Sequence, residues 1–71
     1  MRIVEITREP VELYKILKFE GMLSSGGEAK LAIEQRLVQV NGSIETRKRK
    51  KMVSDDIIEY AGEKIRLKLV Q

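Results

Sequence analysis

The chain has no cysteine, no histidine and no tryptophan, only one proline, and among aromatic residues only Tyr14, Phe19 and Tyr60. Each absence removes a class of chemistry. Without cysteine there is no disulfide framework and no thiolate nucleophile; without histidine there is no imidazole base, and the Cys/His zinc sites go with them. No apolar run approaches the roughly 20 residues of a membrane-spanning helix. Met1-Arg2-Ile3-Val4-Glu5 puts charges where a secretory signal needs an apolar stretch, so the expected location is the cytoplasm. One carboxylate pair, Asp55-Asp56, could be considered for catalysis, but adjacent residues in a turn point apart and no nucleophile or metal partner lies nearby in sequence. They read as turn formers. Neither an enzyme, nor a cofactor, nor a metal site is expected.

What remains is a folded, charged and small protein. Its 71 residues form one domain at most, and a chain this short buries only about 60% of the surface exposed when unfolded. Hydrophobic residues at 42% and charged residues at 35% fit a soluble globular domain rather than a disordered tail. The net charge of +3 hides a cluster: Arg47-Lys48-Arg49-Lys50-Lys51 holds five of the fourteen cations without an acidic residue among them. A local field of that density is the usual footprint of a polyanion partner.

Periodicity gives the order of elements. Arg2 to Ile6 alternates imperfectly and predicts a strand with Ile3 and one of Val4 or Ile6 turned inward. Pro10 suits a first helical turn, and Leu13, Ile16 and Leu17 fall on one side of a helix expected from Pro10 to Phe19, with Glu12, Lys15 and Lys18 toward the other and Phe19 in the core. Gly21 stops it, and Met22-Leu23 packs under the turn. Ser25 then opens a second helix with the spacing of a capping box, its hydroxyl accepting from the Glu28 amide and the Glu28 carboxylate reaching back to the Ser25 amide. Ala29, Ala32 and Ile33 make a narrow apolar stripe whose small alanines imply a tight helical hairpin. Period two returns at Leu37 to Val40, Asn41-Gly42 supplies a type I′ turn, and Ser43 to Thr46 is the partner strand. Ile57 to Tyr60 and Ile65 to Val70 complete the set, with Ile65, Leu67 and Leu69 on one face. The fold class expected is α+β: a helical hairpin packed on a small antiparallel sheet, the first strand beside the last.

Two features carry the functional signal. Gly26 and Gly27 leave the first-turn amides of the second helix unshielded at the positive end of its dipole, where an anion gains about 0.3–1 kcal/mol at exposed sites. They are either a phosphate seat, with Lys30 one turn on, or simply the small residues that a tight turn needs. The basic run is either a phosphate-binding lobe or an edge guarded by cations against aggregation. Five unbroken cations exceed what edge protection needs, which favours phosphate. With no ring inside the basic run, stacking on single-stranded bases is disfavoured, leaving recognition of phosphate and shape as in a folded RNA.

The residues Leu13, Ile16-Leu17-Lys18, Gly21, Ser25-Gly26-Gly27-Glu28-Ala29-Lys30, Val38, Val40-Asn41-Gly42, Glu45-Thr46-Arg47, Lys50-Lys51 and Asp56 resemble, in order and spacing, the αL RNA-binding domain of the fourth small-subunit ribosomal protein. Within that S4-like family the chain is similar to small stand-alone bacterial proteins of the YbcJ/YaaA kind, where Ser-Gly-Gly-Glu-Ala-Lys is typical. The resemblance implies one αL domain over residues 1–71 with its motif core at about 11–60, no cofactor, and binding of structured RNA, ribosomal or transfer RNA above all, or of ribosomal particles. It assigns contacts to Lys18, Ser25, Gly26, Lys30, Arg47, Lys48, Lys50 and Lys51. Four departures stand out. Gly26 replaces an arginine of the ribosomal relatives, and Arg36, Arg49 and Asp55 replace glycines, so a left-handed backbone at Arg36 would be strained.

Three functions follow as expectations. The first is non-catalytic binding of structured RNA in ribosome assembly or translation. The second is a protein-interaction module docking an acidic partner on the basic lobe. The third is an accessory domain of an RNA-modifying enzyme, against which the Met1 start and the final strand speak.

Overall fold

Alternation governs the sheet. In the computed structural model, which describes residues 1–70, β1 (Arg2–Ile6) buries Val4 and Ile6 and turns Ile3 outward, half exposed. The period-two rule held, but Ile3 belongs to the opposite set from the one expected. β7 (Glu63–Leu69) buries Ile65 and Leu67 on the same face of the sheet, with Leu69 partly buried.

The first helix begins later than expected. Pro10 lies outside it and follows a cis peptide bond; Val11–Glu12 forms a two-residue strand, β2, paired antiparallel with β5 (Lys51–Met52). Helix α1 is Leu13–Phe19, burying Leu13, Ile16 and Leu17. Its late start follows from where its first amides go: Leu13 N–H donates to the Lys50 carbonyl at 2.9 Å and Tyr14 N–H to the Lys48 carbonyl at 3.2 Å. Helix-entrance amides lack partners within the helix, and here the basic segment supplies them.

Helix α2 is Gly26–Glu34 with Ser25 as its cap; the Ser25 hydroxyl accepts from the Glu28 amide at 3.1 Å. Only half of the capping box forms, because the Glu28 carboxylate turns instead to the Ser24 hydroxyl, which donates to it at 2.6 Å. Ala29, Ala32 and Ile33 are buried, and the two helices pack as a hairpin. At the end of α2, Arg36 adopts φ 66°, the left-handed conformation expected to strain a residue with a Cβ.

β3 (Val38–Val40) turns through Asn41 (φ 52°) and Gly42 (φ 86°), the positive pair of a type I′ hairpin, into β4 (Ser43–Ile44). That strand stops at Ile44, short of the expected Thr46; the Glu45 amide still donates to the Val38 carbonyl of β3 at 3.0 Å, and residues 46–50 leave the sheet. β6 (Ile57–Tyr60) follows a turn in which the Asp56 carboxylate accepts from the Val53 amide and from Asn41 Nδ2, while Asp55 sits at φ 76°.

The main sheet has the order β1-β7-β6-β3-β4. The first strand pairs with the last as expected; that pair is parallel and all others are antiparallel, so the sheet is mixed. The α+β arrangement of a helical hairpin on a small sheet holds. Core residues from both helices, Met52 and one face of the sheet form a single cluster with no buried polar or charged residue among those described.

Candidate nucleic-acid interface

Tyr14 organises the cationic surface, and its sequence position gave little notice of it. The ring stands beside the opening of α2: a Cβ built on Gly26 would lie 3.7 Å from Tyr14 Cε2 and 3.9 Å from Lys18 Cδ, so an added methyl there would be in ordinary contact with both. Lys30 Nζ lies 4.6 Å from the centre of the same ring and Arg49 Cζ 5.4 Å from it. Lys18, Gly26 and Lys30 therefore converge with the basic segment around one aromatic side chain. Lys18 lies four residues after Tyr14, the spacing that puts two side chains on one helical face; that was the available signal.

The segment 45–50 is held by its backbone. Besides the carbonyls of Lys48 and Lys50, which accept from the α1 entrance, Lys50 N–H donates to the Arg47 carbonyl at 3.2 Å, closing a turn around Lys48 and Arg49. Arg47, Arg49 and Lys51 are exposed, and Lys48 and Lys50 are half-buried. Arg49, which replaces a family glycine, is not among the described residues with positive φ, so its side chain adds charge without that strain.

The run that lacks acids in sequence meets them in space. Arg47 Nε pairs with Glu45 at 2.9 Å, Lys48 Nζ with Glu34 on the last turn of α2 at 2.7 Å, and Arg49 and Lys51 with Glu12 at 3.5 and 4.0 Å. Glu12 also takes Lys15 at 3.3 Å. Partial burial of Glu12 works against its charge, but the hydrogen bond from Lys15 and the charges of Lys15, Arg49 and Lys51 outweigh it and hold the carboxyl below its usual range. The Arg47 side-chain hydrogen bond likewise holds Glu45 below that range against some desolvation, and Glu45 in turn keeps the Arg47 guanidinium more firmly protonated. Exposed pairs of this kind are worth about 0–1 kcal/mol, so they orient the cations without locking them away from another anion. Lys18, Lys30 and Lys50 have no carboxylate within pairing distance among the described residues.

The α2 entrance is open: Ser25 and Gly27 are exposed and Gly26 half-buried. The Ser25 hydroxyl already takes the Glu28 amide, which leaves the amides of Gly26 and Gly27 as the unshielded donors. One expectation fails. Phe19 is not a core residue; it stands 67% exposed at the end of α1, with Lys18 Nζ 5.9 Å from its ring centre. Its neighbours on the apolar stripe, Ile16 and Leu17, fill the core without it.

A capped helical hairpin on a small mixed sheet, with a cationic loop folded back against the hairpin, is the architecture of an S4 domain. The sequence profile of that domain matches residues 4–68, and the chain belongs to the S4 domain family. It is 44% identical over 57 residues to YbcJ of Escherichia coli (strain K12), a stretch covering 80% of this chain and 81% of that one. The same figures hold for YbcJ of Shigella flexneri. The solution structure of Escherichia coli YbcJ, which reveals an αL motif involved in RNA binding, matches with a TM-score of 0.73 and 39% identity, covering 96% of this chain and 87% of that one. The αL motif and the RNA-binding fold that carries it are thus present here.

Proposed function

We propose that this protein is a non-catalytic binder of structured RNA, ribosomal or transfer RNA, which it grips by backbone phosphates, and that it serves ribosome assembly or translation in the cytoplasm. The observation that carries the reading is the convergence at Tyr14: the open entrance of α2, Lys18, Lys30 and, from the basic segment, Arg49 lie around one ring, and the Tyr14 amide donates to the Lys48 carbonyl, so one polyanion can reach the entrance and the segment together. The proposed contacts are Lys18, Ser25, Gly26, Lys30, Arg47, Lys48, Lys50 and Lys51, with residues 1–71 acting as one domain. Amides at a helix entrance and flexible cations recognise phosphate without reading bases. The αL motif of Escherichia coli YbcJ, involved in RNA binding, supports the same assignment. The assembly or translation role rests on the S4 family alone.

The test is the salt dependence of binding to a folded RNA. If about five phosphates are contacted, log affinity against log salt should slope near −3.5 to −4.5. A flat response would count against the proposal. A stoichiometric acidic protein retained after nuclease treatment would instead favour protein docking on the basic lobe.

A further inference from the structure

We infer that the groove beside Phe19 receives one unpaired base of the RNA whose phosphates lie on the adjoining cationic surface; this rests on the RNA-binding proposal above. The groove has a volume of about 470 Å³, within the range of roughly 300–1,000 Å³ occupied by small-ligand clefts, and one nucleobase fits it. Its floor is apolar, made by Val4, Ile6, Val11 and Ile16, and Phe19 forms a wall. A ring 67% exposed at a helix end lies outside the buried core, with Lys18 over it. It offers a face for stacking, and every base has a π-face to match it.

Position connects the groove to the phosphates. Lys18 bridges the two regions: its stem packs at the α2 entrance beside Gly26, and its ammonium lies 5.9 Å from the Phe19 ring centre. Charge makes the same division. Glu5 and Glu20, the latter paired with Arg2 at 3.3 Å, line the groove and leave it no net positive charge to draw in a phosphate, while Arg8 borders it and Lys18 adjoins it, neither cation having a carboxylate partner among the described residues. An unpaired nucleotide has this pattern, a flat neutral ring with a phosphate on either side. The preferred RNA is therefore a helix interrupted by a bulged or flipped-out nucleotide, not an unbroken duplex.

Two hairpin RNAs of identical helical sequence, one with a single bulged adenosine, test this. Wild type should prefer the bulged hairpin by about tenfold, a preference within the range of one base-aromatic stack. Phe19→Ala should abolish that preference while leaving affinity for the unbroken hairpin and its salt slope unchanged. Because the chain contains no tryptophan, Phe19→Trp introduces a single indole, excited selectively over the two tyrosines, whose emission should be quenched by the bulged RNA and not by the unbroken one. Equal wild-type affinity for the two hairpins with a steep salt slope overturns the base site and leaves the phosphate proposal standing. Retention of the bulge preference by Phe19→Ala also overturns it, as does a Phe19→Trp emission that answers only to an apolar peptide. Binding of neither hairpin at low salt would remove both.

Discussion

At the residue scale the decisive side chain is Tyr14, half-buried between two cations and a glycine. Its ring sets where Lys30 and Arg49 stand before any RNA arrives, and a contact of this type is worth about 0.5–1 kcal/mol at an exposed site. Tyr14→Leu should lower affinity for structured RNA by roughly fivefold and the melting temperature by several degrees, and Tyr14→Phe, which keeps the ring, should restore both. Equal affinity in the Leu variant and wild type would reduce Tyr14 to packing. Arg36 presents the opposite case, a residue held against its preference at φ 66°. Glycine relieves a left-handed cost of about 1–2 kcal/mol but loses more freedom on folding, so Arg36→Gly should stabilise by roughly 0.5–1 kcal/mol net, raising the melting temperature by several degrees. The strain at Arg36 was legible because the family keeps a glycine at that turn. The exposure of Phe19 was legible only with angles: at about 100° per residue it stands about 110° from the centre of the stripe made by Leu13, Ile16 and Leu17, so apolarity without phase misassigned it to the core.

At the element scale, the second helix was readable from its cap and its alanine stripe, and the β3–β4 hairpin from Asn41-Gly42, because caps and tight turns are written in adjacent residues. Ser25→Ala should cost about 1 kcal/mol of stability by releasing the Glu28 amide, visible as a lower midpoint in urea. The late start of α1 was not readable, since it depends on carbonyls of Lys48 and Lys50, more than thirty positions away. For the same reason two partners of the basic segment, Glu12 and Glu34, emerge only in space, whereas Glu45 stands two residues before its partner Arg47. Those partners make stability depend on acid. Glu12 and Glu45 have lowered folded pKa values, so the unfolded chain binds more protons below the usual glutamate value of 4.5. Their contribution is present above that pH and is lost as pH falls through the folded values. Thermal melts taken from about pH 5.5 down to about pH 3.5 should show this loss, and a Glu12→Gln, Glu45→Gln double variant should show less of it. An equal loss in that variant would assign the acid sensitivity elsewhere.

At the scale of the whole molecule, cations lie on more than one face, and their partners distinguish the faces. On the outer side of the sheet, Arg66 is tied to Asp55 at 2.9 Å, while Lys68 and Lys64 stand opposite Glu5 and Glu59 in the strand register. Around Tyr14, Lys18 and Lys30 lack such partners among the described residues, as does Lys50 in the adjoining basic segment, and the glycine entrance adds amides. Replacing Arg47, Lys48, Lys50 and Lys51 together by Ala should weaken binding to all structured RNAs alike and flatten the salt slope by about one unit for each phosphate that is no longer neutralised. A fold that survives with unchanged affinity would locate the RNA elsewhere. The central claim is that the α2 entrance and the basic segment serve one polyanion. The most direct measurement is the amide chemical-shift map of the protein titrated with a structured RNA. Shifts should move together at Lys18, Gly26, Lys30 and residues 47–51 with one dissociation constant, leaving Lys64, Arg66 and Lys68 in place. Shifts centred on the outer sheet face, or two patches titrating with different constants, would contradict it.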